Sequence, residues 1–179
     1  MEVAAITSIE SLTAEPEVLR LDDFWHAEVA ELLATYGLQL QLVKPGRDIP
    51  GSYWGDTEAG LVGQQLLARL DTPVHSILHE ACHYICMDPL RRSDLHTNAG
   101  GGYDEENAVC YLQILLADRL NGMGRERMFT DMDAWAYTFR MGSARAWFEN
   151  DASEDWGQLL EWGIIDTDGQ PTGRLRSNR

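Results

Sequence analysis

Lysine, cysteine and long apolar runs are all scarce in this chain, and each scarcity closes off a class of function. Lys44 is the single lysine in 179 residues; Lys and Arg together number 14 against 29 Asp and Glu, a formal charge of −15. A protein that grips DNA or RNA needs a basic face to displace counterions, so nucleic acid is excluded as a partner. No window approaches the ~18 to 20 apolar residues of a membrane span, which excludes a membrane partner of that kind. A basic n-region is also missing. Met1 to Glu17 carries Glu2, Glu10, Glu15 and Glu17 and does not read as a secretory signal, so the expected compartment is the cytoplasm. The three cysteines, Cys82, Cys86 and Cys110, cannot all pair within one chain and sit in apolar helical stretches, as reduced, buried thiols would.

Apolar residues make up 44% of the chain and aromatics 9%, enough for one core. The expected organisation is a single domain over residues 1–179, with a loose leader over about 1–14 and a frayed tail over about 166–179. Helical spacing runs from Pro16 to Gly37 and gives way to an alternating, half-buried strand at Leu38 to Val43. A turn-rich loop follows, then one or two short strands around Gly63 between Gly60 and Arg69. Thr72-Pro73 marks a helix start, with Thr as cap and Pro in the first turn, and that helix runs to about Met87. A polar loop, Asp88 to Tyr103, leads to a strong helix over Asp104 to Leu120. Arg125 to Phe148 reads as helical with a bend or break at Gly142-Ser143, and a short helix lies near Glu154 to Trp162. The fold class is α+β: a small twisted sheet, Leu38 to Arg69, packed on a set of helices.

The helix after Thr72-Pro73 carries His79-Glu80-Ala81-Cys82-His83, an H-E-x-x-H pattern. Residues four apart on a helix share a face, so the two imidazoles can converge on one ion. Glu80 is rotated about 100° from His79 and is placed to act on a water at that ion rather than to ligate it. A catalytic zinc site takes three protein ligands and keeps an open position, so a third ligand is needed from another element. The Asp104-Glu105-Glu106 opening of the next strong helix is the best source. From Glu105 the positions three, four and seven further on are Ala108, Val109 and Leu112, an apolar stripe that suits the inward face. From Glu106 they are Val109, Cys110 and Gln113, which is less apolar. Glu105 is therefore the chosen ligand and Glu106 the alternative.

With these residues in view, Gly60 to Leu116 resembles the gluzincin zinc metallopeptidases, in particular the compact minigluzincins and the ImmA/IrrE-like group. The matching pieces are Gly60-Leu61-Val62-Gly63, His79-Glu80-Ala81-Cys82-His83-Tyr84, and Glu105-Glu106-Asn107-Ala108-Val109-Cys110-Tyr111 with Leu115-Leu116. The resemblance implies a zincin-like domain in which His79, His83 and Glu105 bind zinc and Glu80 is the general base. It also implies a peptide or protein substrate lying beside the strand near Leu61. Cys82 departs from the small residue usual before the second His, and no helix-turn-helix partner domain is found.

Two functions follow from these residues: a zinc-dependent hydrolase, foremost a metallopeptidase, or a non-hydrolytic zinc-binding sensor or interaction module. Tyr137, His96 and Arg140 are candidate oxyanion donors by type, although Tyr137 reads more naturally as packing and His96 as a solvated loop residue. His75, four residues before His79, reads as a surface or supporting residue rather than a ligand. Protein purified without chelator is expected to contain about one equivalent of zinc, measured by elemental analysis. Metal-free protein would overturn both functions.

Overall fold

The computed structural model describes residues 15–53, 55–95 and 102–177, so the expected leader and His96 lie outside the described residues. Seven helices and one three-stranded mixed sheet make up the described fold, which is α+β. The chain runs α1 (Asp23–Thr35), β1 (Gln39–Leu42), β2 (Gly60–Val62), β3 (Gln65–Ala68) and α2 (Val74–Cys86). It continues through α3 (Pro89–Ser93), α4 (Tyr103–Ala117), α5 (Gly124–Ala134), α6 (Ala144–Asn150) and α7 (Ser153–Glu161). No helix among the described residues is long and apolar enough to cross a membrane.

The sheet order is β1-β3-β2, with β3 central. β1 pairs with β3 in parallel, Leu40 opposite Leu66, and β2 pairs with β3 antiparallel, Leu61 opposite Leu66. β2 and β3 form a tight hairpin whose turn needs Gly63 in the left-handed region, at φ 58°. The outer edge of β2 is engaged at Leu61, whose N–H donates to the Gly51 carbonyl at 3.4 Å. The strand near Leu61 is thus covered there by its own preceding loop rather than left open.

α2 is the central rod of the fold. Eleven of its thirteen residues are buried; the exceptions are His79 and Glu80. Such a helix is held by packing on all sides rather than by a single amphipathic stripe. Its entry differs from the expected cap. Pro73 is the N-cap residue, and the Thr72 hydroxyl accepts the Arg69 N–H at 2.9 Å, closing the turn from β3. Residues ahead of α1 also contribute here. Leu21 N–H donates to the Thr72 carbonyl and Val74 N–H to the Leu19 carbonyl, so this stretch is extended and α1 starts later than Pro16.

The last carbonyls of α2 have no intrahelical partners and need donors from elsewhere. Arg92 donates to the carbonyls of Tyr84 (3.0 Å) and Met87 (2.6 Å), and Arg176 to that of Cys86 (3.2 Å). Arg176 also stacks over Trp162, and its backbone N–H donates to the Ile85 carbonyl. The tail that composition marks as frayed is therefore tied down through Arg176, because its arginine completes a buried helix end.

The break expected at Gly142-Ser143 is present, with Gly142 at φ 87° and Ser143 capping α6, but the helix before it stops earlier. α5 ends at Ala134, and Ala136 adopts φ 65°. Ala136 N–H donates to the Asp133 carbonyl and Tyr137 N–H to the Met132 carbonyl, the Schellman pattern in which C′ is normally glycine. Alanine in that position hides the stop from a reading of the sequence. Residues 135–143 then leave the helix and form a wall of the site described below.

Gly60 shows how tightly the covering loop sits on β2. A Cβ there would collide with the Pro50 carbonyl oxygen and stand 2.7 Å from the Ser52 nitrogen. Gly60→Ala is expected to destabilise the fold by about 1–3 kcal/mol, read as a lower urea midpoint at unchanged m-value.

Candidate metal centre

His79 and His83 stand one turn apart on α2 with Nε2 atoms 3.1 Å apart. The first turn of α4 meets them. One Glu106 carboxylate oxygen lies 3.0 Å from His79 Nε2, the other 3.1 Å from His83 Nε2. Among the described residues this is the group whose three donor atoms converge within 4.8 Å, and it could hold a metal ion. The chemistry of the donor set fits one. The two Nε2 atoms and both Glu106 oxygens converge on one point, where a single cation would serve as partner to all of them. At bonds of about 2.0–2.1 Å, two nitrogen ligands of a tetrahedral ion stand about 3.3 Å apart, close to the observed separation.

The orientation of His79 is set by Gln113. The Gln113 amide nitrogen donates to the His75 carbonyl at 3.0 Å, which turns its oxygen to accept from His79 Nδ1–H at 2.9 Å. The proton is thereby kept on Nδ1 and the lone pair on Nε2 faces Glu106, as ligating histidines require. His83 is buried, and its Nδ1 has no partner among the described residues.

Glu105 is not at this centre. The structure turns it the other way, its buried carboxylate held by the more exposed Arg91 at 2.9 Å through both oxygens, with Arg176 at 3.5 Å. Choosing Glu105 as ligand is therefore corrected to Glu106, and the reason is physical. The apolar stripe of Ala108, Val109 and Leu112 packs into the core, whereas the face that meets two imidazoles must carry polar groups. Gln113, seven residues after Glu106, weighed against that face in the sequence and is the residue that holds His79. Its polarity is the signal in the sequence that marks this face.

Glu80 lies beside the two histidines at a cavity of about 780 Å³. Burial raises the Glu80 carboxyl above the ordinary range, with His83 and His79 pulling it down and Glu58 pushing it up. The cavity is bounded by α2, the start of α4, the 135–140 segment and α7. His75 proves buried rather than superficial, and burial pushes its pKa down to about 3, so its ring is neutral. Its Nδ1 is 3.2 Å from the Tyr137 hydroxyl, and its ring lies against Trp135. Tyr137 both packs, edge-on to His79, and lines the cavity. Arg140 also lines it but is paired with Asp151. The three cysteines are free and buried.

No family model, curated protein or solved structure matches the chain. The functional reading accordingly rests on these residues and their placement.

Glu106→Ala is expected to weaken metal binding at least about tenfold, while Glu105→Ala leaves metal affinity within about threefold and lowers stability instead. Removing Glu105 takes a shared counter-charge from Arg91 and Arg176, which are themselves partly exposed, at a cost of about 1 kcal/mol. Metal titration beside urea unfolding of both variants reads the two effects separately.

Proposed function

We propose that this protein is a metal-dependent hydrolase of the zincin type, most specifically a zinc metallopeptidase. His79, His83 and Glu106 would hold the ion, and Glu80 would serve as general base. The observation that carries the proposal is the position of Glu80. In a helix otherwise buried along its length, His79 and Glu80 are the two residues left partly exposed, and both line the cavity.

A bound zinc ion would supply Lewis acidity, acidifying water and polarising a carbonyl. The rest falls to the chain. Gln113 keeps the His79 tautomer competent for binding. Glu80 takes the proton from the attacking water and returns it to the leaving amine, and its upward-shifted carboxyl is closer to the operating pH than an ordinary glutamate. Tyr137 offers a hydroxyl at the same wall, kept protonated by burial, as a donor to the developing oxyanion. The resemblance in sequence to compact gluzincins supports a peptide as substrate, with the ligand position shifted from Glu105 to Glu106.

Glu80→Gln is expected to retain the metal of the unmodified protein and to lose peptide hydrolysis by about 10²–10⁴-fold. Metal content by elemental analysis and turnover on a peptide library check both halves. Equal turnover of the two proteins, or none in either, would favour the non-hydrolytic zinc-binding function.

A further inference from the structure

The cavity is more acidic than a metal centre requires. Its carboxylates fall into two groups by the charges each one feels. Glu80 is influenced by Glu58, Glu106 and the two histidines, whereas Asp155 is influenced by Glu154, Asp104 and Asp151. The second group comes from the first turns of α4 and α7 and the residue just after α6. Acids in a first helical turn are ordinary, since they complement the helix dipole.

Asp155 is not ordinary. Its exposure is 9%, it lines the cavity, and its carboxylate takes its own backbone N–H and no cation among the described residues. Burial, with Glu154 and Asp104 adding to it, pushes its pKa up to about 6. Arg140 is the sole arginine or lysine among the described lining residues, and Asp151 holds it at 2.7 and 2.8 Å. A buried carboxylate with no counter-ion carries a desolvation cost that an incoming cation would remove.

The shape of the group indicates what kind of cation. Among the described residues the donor set that converges tightly enough for a metal is the His79, His83 and Glu106 group, so the acids around Asp155 are too dispersed for a second ion. Trp135, Phe139 and Trp147 line the same cavity. Dispersed carboxylates beside apolar aromatic walls suit an alkyl-borne or delocalised charge, whose hydrocarbon part packs on the walls while its head meets the anions.

We propose that the cavity selects substrates carrying an organic cation, an ammonium or guanidinium group of a peptide, seated against Asp155 with Asp104 and Glu154 around it. The selection rests on the hydrolase reading of the metal centre, because it makes the acidic group a specificity pocket of that site.

The test separates the two readings by measuring binding without turnover. Metal-containing Glu80→Gln protein is titrated with short alanine-based peptides bearing one lysine, with the same peptides acetylated on that lysine, and with peptides acetylated only at the amino terminus. Neutralising the recognised cation is expected to weaken binding about tenfold or more. The arm that loses affinity tells a side chain from an amino terminus. Adding Asp155→Asn should bring the charged-to-neutral ratio to within about twofold at unchanged metal content. Should that variant fail to fold, Glu154→Gln in its place is expected to lower the ratio at least threefold. Charged and neutral peptides that bind alike, an absence of binding by any of them, or a ratio indifferent to these substitutions would overturn the proposal. Loss of the hydrolase reading is seen elsewhere, in the turnover of the unmodified protein against Glu80→Gln.

Discussion

Gln113 is the residue on which the arrangement of the centre depends. Fully buried between α2 and α4, it donates to the His75 carbonyl and accepts from His79 Nδ1–H, so a single amide links two turns of one helix to the face of another. An amide can satisfy both bonds only if α4 lies against α2 with this face turned inward. The same rotation carries Glu106, two turns earlier, to the imidazoles. Backbone packing, histidine tautomer and third donor thus follow from one buried contact.

Two adjacent glutamates illustrate how sharply helix rotation sorts function. Successive residues on a helix are about 100° apart, enough to place Glu105 in an ion pair with Arg91 and Glu106 on the histidines. Glu105 is not idle. It neutralises arginines gathered at the C-terminal end of α2, where Arg92 and Arg176 complete the unpaired carbonyls. One carboxylate stabilises the rod from behind while its neighbour faces the cavity in front.

The overall acidity of the chain takes on local meaning in this geometry. Most carboxylates are solvated or paired, as Asp118 is with Arg125 and Asp151 with Arg140. Asp131 is fully buried, yet it accepts from Leu19 N–H and Arg127 and so has a structural partner. Asp155 is buried without a cation among the described residues, and it is this asymmetry, rather than the count of acids, that distinguishes the cavity.

Much of the fold was legible because its signals are local. The spacing of His79 and His83 and the rotation of Glu80 follow from helix geometry over five residues, and the helix start at Thr72-Pro73 follows from the backbone restriction of proline. The stop at Ala136 was hidden because alanine occupies a position that glycine usually takes, and the anchoring of the tail was hidden because Arg176 acts on a helix end ninety residues away. By itself the amino-acid sequence determined the pair of histidines, the acidic residue beside them and the α+β class. Tertiary structure alone decided that Glu106 joins them, that Gln113 holds them and that Asp155 faces the cavity. Each of those depends on which side of α4 or α7 is turned toward its neighbour, a rotation set by packing across the core and not by any short stretch of chain.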